Sequence, residues 1–349
     1  MSWLLYGANG YTGELTAHEA VRRGLKPILG GRNRGAVEAL AQQLGLEARV
    51  FGLDPTSPPT AALRGVTLVL NCAGPFSATA APMQTACLEA RAHYLDISGE
   101  IEVFEGAQAR AAAARAAGIV LCPGVGFDVV PTDCVALALK EALPAATALA
   151  LGFDSKLSLS RGTARTMVEG LGRGGCVRQG GRLTWVPLGY RERRIDFGAG
   201  EKLAMTIPWG DVSTAFHTTA IPDIEVYVPI SPRRLRAMRR LNRLRWLLAL
   251  GPVQRLLKAR IDRQPPGPDA AERAATPVYI WGEARAGDGR VCTARLVTAN
   301  GYTLTVHAAL GIVERLLSTA VAAGAATPAR LMGARYVESL PGSSRIVIS

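Results

Sequence analysis

An apolar tetrad, Trp3-Leu4-Leu5-Tyr6, runs without a break into Gly7-Ala8-Asn9-Gly10-Tyr11-Thr12-Gly13. No other junction in the chain restricts its fold as strongly. A short apolar run bounded by glycines reads as a buried strand, and residues 12–23 read as the helix that follows it. The glycines therefore stand where a strand turns sharply into a helix. Backbone stripped of side chains at such a turn can approach a pyrophosphate, which then rests on the helix N-terminus. The spacing is G-x-x-G-x-x-G, a variant of the dinucleotide fingerprint. Gly7, Asn9, Gly10, Tyr11, Thr12 and Gly13 are accordingly candidate cofactor-binding residues.

The second strand sharpens this reading. Leu25-Lys26-Pro27-Ile28-Leu29 leads into Gly30-Gly31-Arg32-Asn33-Arg34. A site for NAD places a carboxylate at that strand end to hold the ribose 2′-hydroxyl, but here the position holds Arg32. A guanidinium pairs with a 2′-phosphate and a carboxylate repels it, so the expected cofactor is NADP, with Arg32 and Asn33 at its ribose end. The competing reading is a purely structural strand–turn–helix with solvated arginines.

Beyond Arg32 helices and strands alternate: helix over 36–44, strand over 47–52, an apolar strand over 66–70, helix over 79–90, strand over 93–97, helix over 101–117 and strand over 119–122. Six strands with crossover helices predict an α/β fold whose N-terminal part is a doubly wound, Rossmann-type parallel sheet. Ligands of such sheets sit beyond the carboxyl ends of the strands. Three loops there stand out. Asn71-Cys72-Ala73-Gly74-Pro75-Phe76 offers small residues for close approach to a ribose or nicotinamide, making Cys72, Ala73, Gly74 and Pro75 candidates. Asp96-Ile97-Ser98-Gly99-Glu100 adds Ser98 and Gly99, although Ser98 alternatively caps the next helix. The third runs from Cys122 through Pro123-Gly124-Val125-Gly126-Phe127-Asp128 to Asp133. Its glycines and prolines impose unusual backbone angles, and Thr132 is a natural helix N-cap.

A chain of 349 residues suggests two domains. The six cysteines form no C-x-x-C pair and do not group with the four histidines, so neither a metal site nor a disulfide framework is expected. The first strand starts at once, with no basic leader, and no apolar run approaches the roughly 18 residues of a spanning helix. These features predict a cytoplasmic protein. The net charge of +12 is local: residues 231–263 hold eleven basic side chains against the single acid Asp262. Leu235, Met238, Leu241, Leu244 and Leu248 approximate one helical stripe in that segment. Three readings stand side by side: a solvated face, a helix peripheral to an anionic membrane at its inner face, and a patch for an acidic partner. Trp246 stands beside that stripe, but base-stacking aromatics are not interleaved with the arginines, which argues against nucleic acid.

Together the Gly7–Gly13 turn, the Asn71–Phe76 loop, Tyr94-Leu95-Asp96-Ile97-Ser98-Gly99-Glu100 and the Pro123–Asp128 loop resemble the saccharopine dehydrogenase-like oxidoreductases, and within them most closely the trans-acting enoyl reductase branch. Arg161-Gly162-Thr163, Gly301-Tyr302 and Thr327-Pro328-Ala329 extend the likeness. The resemblance implies an NADP-binding domain followed by a second, mixed α/β domain. The expected boundaries are 1–133, then 134–300 with a basic helical insertion at about 231–263, then 301–349 as a C-terminal helix and tail packing back near the first domain. It also implies a role in lipid or glycolipid metabolism, an acyl-type or other small-molecule substrate, and is compatible with a homodimer.

In the second half, strands are expected over 145–153, 278–286 and 290–299, the last two as a hairpin through Gly287-Asp288-Gly289. A short helix over 162–171, a hairpin-like stretch over 180–197, a stiff linker over 264–268 and one long helix over 303–323 complete the pattern. Lys156, Ser160, Arg161 and Thr163 form a polar cluster suited to a carboxylate, phosphate or thioester carbonyl, or else a solvated loop. His217 and His307 read as packing or surface residues. No Tyr is followed four residues later by Lys, so the acid pair of short-chain dehydrogenases is missing. These features point to reduction of a polarised C=C, C=O or C=N bond. Arg161 is the candidate to stabilise an enolate oxygen, and Asp128, Asp133 and Tyr302 are the candidate proton donors. An imine or amino-acid-adduct dehydrogenase, and a non-catalytic NADP-binding sensor at a membrane, are the alternatives.

Overall fold

The apolar tetrad is a strand, β1 (Trp3–Tyr6), buried along its whole length. The computed structural model describes the chain apart from residues 1, 55–58, 156–160, 171, 199, 243–244, 249, 262 and 264–266, and apart from the side chains at 163, 166, 167, 169 and 245. After β1 come α1 (Tyr11–Arg22), β2 (Ile28–Gly31), α2 (Arg34–Leu44), β3 (Ala48–Val50), β4 (Leu68–Asn71), α3 (Phe76–Ala90), β5 (His93–Asp96), α4 (Ile101–Ala109), α5 (Ala111–Ala117) and β6 (Val120–Cys122). All these strands are parallel, in the order β6-β5-β4-β1-β2-β3. β1 pairs with β2 on one side and β4 on the other, so the winding reverses at β1, directly beneath the glycine turn. The expected doubly wound sheet is present.

Two boundaries differ from expectation. β2 begins at Ile28 instead of residue 25, and it includes Gly30 and Gly31, which are buried. A Cβ at Gly30 would lie 3.0 Å from Leu4 Cδ1, and one at Gly31 would lie 2.9 Å from Val37 Cγ2. These two glycines therefore let the neighbouring strand and helix pack closely, where the sequence suggested a loop. The helix expected over 101–117 is divided at Arg110, whose ψ of 5° closes α4 and opens α5.

The chain continues with α6 (Val130–Ala142), β7 (Ala146–Asp154), α7 (Arg161–Gly170), β8 (Gly175–Gln179), β9 (Arg182–Val186), β10 (Glu192–Asp196), β11 (Glu201–Thr206), α8 (Asp211–Thr219), β12 (Asp223–Pro229), α9 (Pro232–Leu241), α10 (Arg245–Leu248), α11 (Gly251–Ile261), α12 (Ala270–Ala275), β13 (Val278–Ala286) and β14 (Val291–Thr298). It closes with α13 (Gly301–Ser318), β15 (Gly324–Ala325), α14 (Pro328–Met332) and β16 (Val347–Ile348). A mixed sheet runs β10-β11-β12-β7-β13-β14-β16, with β8 pairing to β12 and β9 to β8. The β13–β14 hairpin forms as expected, Val278 opposite Thr298. The hairpin expected within 180–197 does not: β9 pairs back onto β8, and β10 pairs with β11. Gly180 (φ +54°) and Gly181 (φ +78°) supply the two positive-φ residues of a tight turn between β8 and β9. α13 also stops at Ser318, because Gly324 and Ala326 donate to Ile119 O and Leu121 O and carry β15 into the first sheet as a parallel strand beside β6.

The described chain forms two units, Met1–Val130 with Tyr302–Leu331, and Pro131–Gly301 with Met332–Ser349. The final segment thus belongs to the second unit, where β16 extends the sheet on β14. Leu4, Tyr6, Val69, Met83, Tyr94 and Leu121 lie in the core of the first. Phe197, Tyr227 and Trp281 lie in a core cluster of the second. Among the described residues, no helix is long and apolar enough to cross a membrane.

Candidate functional site

Three glycines in the first turn do three different things. Gly7 has φ +78°, and a Cβ on it would lie 2.7 Å from Ala73 N, so it admits the loop after β4. A Cβ on Gly13 would collide with the carbonyl oxygen of Gly7, so Gly13 lets α1 pack onto the turn. A Cβ on Gly10 would meet nothing closer than that same oxygen at 3.3 Å. Gly10 is exposed, and it starts α1 with no side-chain cap. The first-turn N–H groups of a helix have no partner within the helix, and α1 presents them behind a bare glycine at the sheet's switch point. A pyrophosphate fits that surface by charge and by shape. Asn9 is exposed beside Gly10, and Tyr11 and Thr12 are half-buried in the first turn. The Tyr11 ring meets Tyr302 of α13 edge-on, centroids 5.1 Å apart.

At the end of β2, Arg32 is exposed and forms no ion pair among the described residues. Its neighbours are otherwise engaged. Asn33 caps α2, its Oδ1 accepting from Ala36 N at 3.3 Å. Arg34 pairs with Glu38 at 2.8 Å. The carboxylate expected of a 2′-hydroxyl site is absent, so Arg32 suits a 2′-phosphate.

The loops after β4, β5 and β6 are joined by a buried polar network. Asp96, fully buried at the end of β5, accepts from Tyr94 OH at 2.7 Å, Ser98 N at 2.9 Å and Gly124 N at 2.9 Å. Asn71 Nδ2 donates to Tyr94 OH at 3.4 Å, and Asn71 Oδ1 accepts from Ala73 N at 3.0 Å. One carboxylate thus ties two cleft-side loops together, and a third is linked through Tyr94. Burial pushes Asp96 up to about 6, although the three donors oppose it. Burial, then the nearby Asp96 charge, hold the Tyr94 hydroxyl well above its ordinary range. The same two causes push up the Cys72 thiol, so it is no thiolate nucleophile. Its backbone N–H donates to Tyr6 O at 2.8 Å.

The Ser98 hydroxyl accepts from Glu100 N at 3.0 Å, a turn contact just ahead of α4, whose N-terminus itself has no side-chain cap. Gly99 has a packing role. A Cβ there would lie 2.7 Å from Asp128 Oδ2, so Gly99 makes room for that carboxyl. Glu100 accepts from Phe76 N at 3.0 Å and so closes the N-terminus of α3, which begins at Pro75 without a side-chain cap of its own. Gly74 is open apart from the Phe76 ring at 3.8 Å. Burial, reinforced by the Glu100 charge, raises Asp128 to about 7. Its loop is held by Phe127 N donating to Thr305 Oγ1 of α13 at 2.9 Å.

Other candidates are placed elsewhere. Asp133 is fully buried in the second unit and accepts from Thr218 Oγ1, bracing α6 against α8. Arg161 opens α7 in the second unit and is exposed. Lys156 and Ser160, and the side chain of Thr163, lie outside the described residues, as does most of the expected linker over 264–268. His307 joins a cluster with Arg23 and Glu19 between α13 and α1, and burial lowers its pKa. His217 sits on α8 with its ring against Phe216.

Sequence reasoning singled out neither Asp96, Tyr94 and Asn71 nor Glu100 as site residues. A detectable signal was the carboxylate closing the apolar run His93-Tyr94-Leu95-Asp96, since a buried acid at a strand end demands donors.

Residues 3–122 match the family of saccharopine dehydrogenase NADP-binding domains. Human saccharopine dehydrogenase-like oxidoreductase is 25% identical over 195 residues, covering 48% of this chain and 46% of that protein. A trans-acting enoyl reductase of Mycobacterium bovis is 31% identical over 140 residues, covering 37% of this chain and 33% of that protein. The match thus spans less than half the length of either relative. Among solved structures, apo saccharopine dehydrogenase (L-Glu forming) from Saccharomyces cerevisiae superposes with a TM-score of 0.62 at 11% identity, covering 100% of this chain and 99% of that one. That likeness is one of fold.

Proposed function

From a chain whose residues 3–122 are a saccharopine dehydrogenase NADP-binding domain, we propose an NADP(H)-dependent oxidoreductase that reduces a polarised double bond, an enoyl or carbonyl group, in an acyl-type substrate. The similarity to a mycobacterial trans-acting enoyl reductase supports the enoyl member of that pair. The observation that carries the reading is Asp128, a carboxyl raised to about 7 beside Glu100, in a loop beyond the carboxyl end of β6.

NADPH, when bound, supplies the hydride. The residues of this chain do the rest. Gly10 and the N-terminal turn of α1 would hold the pyrophosphate, with Gly7 admitting the loop after β4 beside it, and Arg32 would hold the 2′-phosphate. Asp96 keeps the loops after β5 and β6 in register by accepting from Ser98 N and Gly124 N. Reduction leaves an electron-rich carbon or oxygen that needs a proton. Asp128 retains one on its carboxyl below about pH 7, because burial, and then the Glu100 charge, disfavours its ionised form. Tyr302, the other donor considered, has its ring engaged edge-on with Tyr11.

The test is NADPH oxidation followed with three substrate types in parallel: an α,β-unsaturated acyl thioester, a ketone of matched chain length, and a preformed imine. Turnover of either of the first two supports the proposal. Turnover confined to the imine replaces it with an imine reductase, and oxidation with none of them leaves a binding protein without reductase activity.

A further inference from the structure

In the basic insertion of the second unit α9 is anchored: Leu235 is buried over Gly189, where a Cβ would lie 2.8 Å from Leu235 Cδ1. Arg239 Nε donates to Gly189 O at 3.1 Å and its guanidinium pairs with Glu192 at 3.1 Å. Asn242 exchanges two hydrogen bonds with the backbone of Leu188, at 2.9 and 3.0 Å. Beside α9 lies an open groove of about 970 Å³. Ala237, Met238 and Leu241 of α9 line it together with Leu188, Leu203, Pro229 and Ile230.

The charge around this groove is of one sign. Arg194, Lys202 and Arg234 line it together with the apolar walls, and no acidic side chain does so among the described residues. Arg194 is paired with Glu201 at 3.0 Å and Lys202 with Asp154, whereas Arg234 has no ion pair among the described residues. The volume lies within the range of small-molecule sites, and an apolar trough with few convergent charges is the usual makeup of one. We infer that this groove binds a single-chain amphiphile with an anionic head, the chain lying between Met238 and Ile230 and the head against Arg234. The arginines that suggested a membrane face divide accordingly: Arg239 is a structural anchor and Arg234 borders the groove.

The experiment titrates the full-length protein with a fluorescent fatty acid of palmitate length, kept below its micelle concentration. Saturable binding is expected. Ala237→Trp, which fills the trough from an exposed position, is expected to weaken it by about tenfold or more. Arg234→Gln is expected to weaken the acid by about threefold, the scale of an exposed ion pair, and to leave the matching fatty alcohol unchanged. Both variants should bind NADPH as the parent does, which separates loss of the groove from loss of the fold and from the proposed activity. Absence of saturable binding, or binding unaffected by both substitutions, overturns the inference. So does binding to anionic vesicles without binding of the monomeric fatty acid, which would identify a membrane-docking face instead.

Discussion

Helices α1 and α3 both start at the carboxyl edge of the first sheet, and their N-termini are treated in opposite ways. α1 begins behind Gly10, exposed and without a side-chain cap. α3 begins behind Pro75, and the carboxylate of Glu100 already occupies its first N–H. A helix N-terminus attracts anions through its unpaired donors and its dipole. One edge of one sheet therefore offers a site for phosphate at α1 and refuses it at α3. Burial raises Asp96 at the end of β5, and burial with the Glu100 charge raises Asp128 after β6. The edge is polarised, with anion reception over β1 and β2 and a protonated carboxyl beyond β6. Such a division is what a dinucleotide with a charged end and a reactive end requires.

The largest effect should come from the proton-storing end. Asp128→Asn should lower turnover by about 10²–10⁴-fold, the usual contribution of a general acid, and leave the NADPH dissociation constant unchanged. The sign of the pH dependence follows from the raised pKa. The carboxyl is protonated below about 7, so kcat/KM should be full at lower pH and fall as pH rises through 7. A flat profile from pH 6 to 8 in the parent protein would remove Asp128 from the reaction.

The phosphate end can be broken in two distinguishable ways. Gly13→Ala drives a methyl into the Gly7 carbonyl and should cost about 1–3 kcal/mol of stability, as overpacking does, seen as a lower midpoint in urea. Gly10→Val puts its Cβ 3.3 Å from the Gly7 oxygen, a far milder contact than at Gly13, so it should melt closer to the parent than Gly13→Ala and lose most NADPH binding. If Gly10→Val binds NADPH normally, the phosphates lie elsewhere and the contrast between α1 and α3 has no functional meaning.

Cofactor choice should respond more modestly. NADPH should bind about tenfold tighter than NADH, or about 1.4 kcal/mol, and Arg32→Ala should erase the difference. Fluorescence titration of both cofactors against both proteins decides this, and an unchanged ratio would refute the role of Arg32. The smallest effect separates Arg32 from its neighbour. Asn33→Ala should lose about 1 kcal/mol of stability through the lost α2 cap with no change in either cofactor affinity. A shift in NADPH affinity would return Asn33 to the binding site.

Some of this was legible in the chain itself. The strand–glycine–helix junction, the parallel alternation and the basic strand end all depend on residues close in sequence, and they predicted the sheet and the place of the dinucleotide. Ser98, Gly99 and Asn33 lie in loops that ligands of such folds approach, and the folded chain gives each an internal role as well: Ser98 accepts from Glu100 N, Gly99 yields to Asp128, and Asn33 caps α2. A polar or glycine residue in a loop can serve the ligand or its own backbone, and spacing alone does not distinguish the two. The pairing of β9 with β8 was missed for a related reason, since both flanks of residues 180–197 carry turn signals.

By itself, the order of residues determined the class of fold and the preference for NADP, and it pointed to a place for the phosphates, because each follows from local rules of backbone and charge. Only the folded chain decided that Asp96 would bind two loops at once, that Asp128 would sit against Glu100, and that α9 would be anchored beside an open groove. Each of these joins residues from separate loops or elements of the chain. Their chemistry depends on burial and on neighbours brought together by packing, which no local pattern encodes.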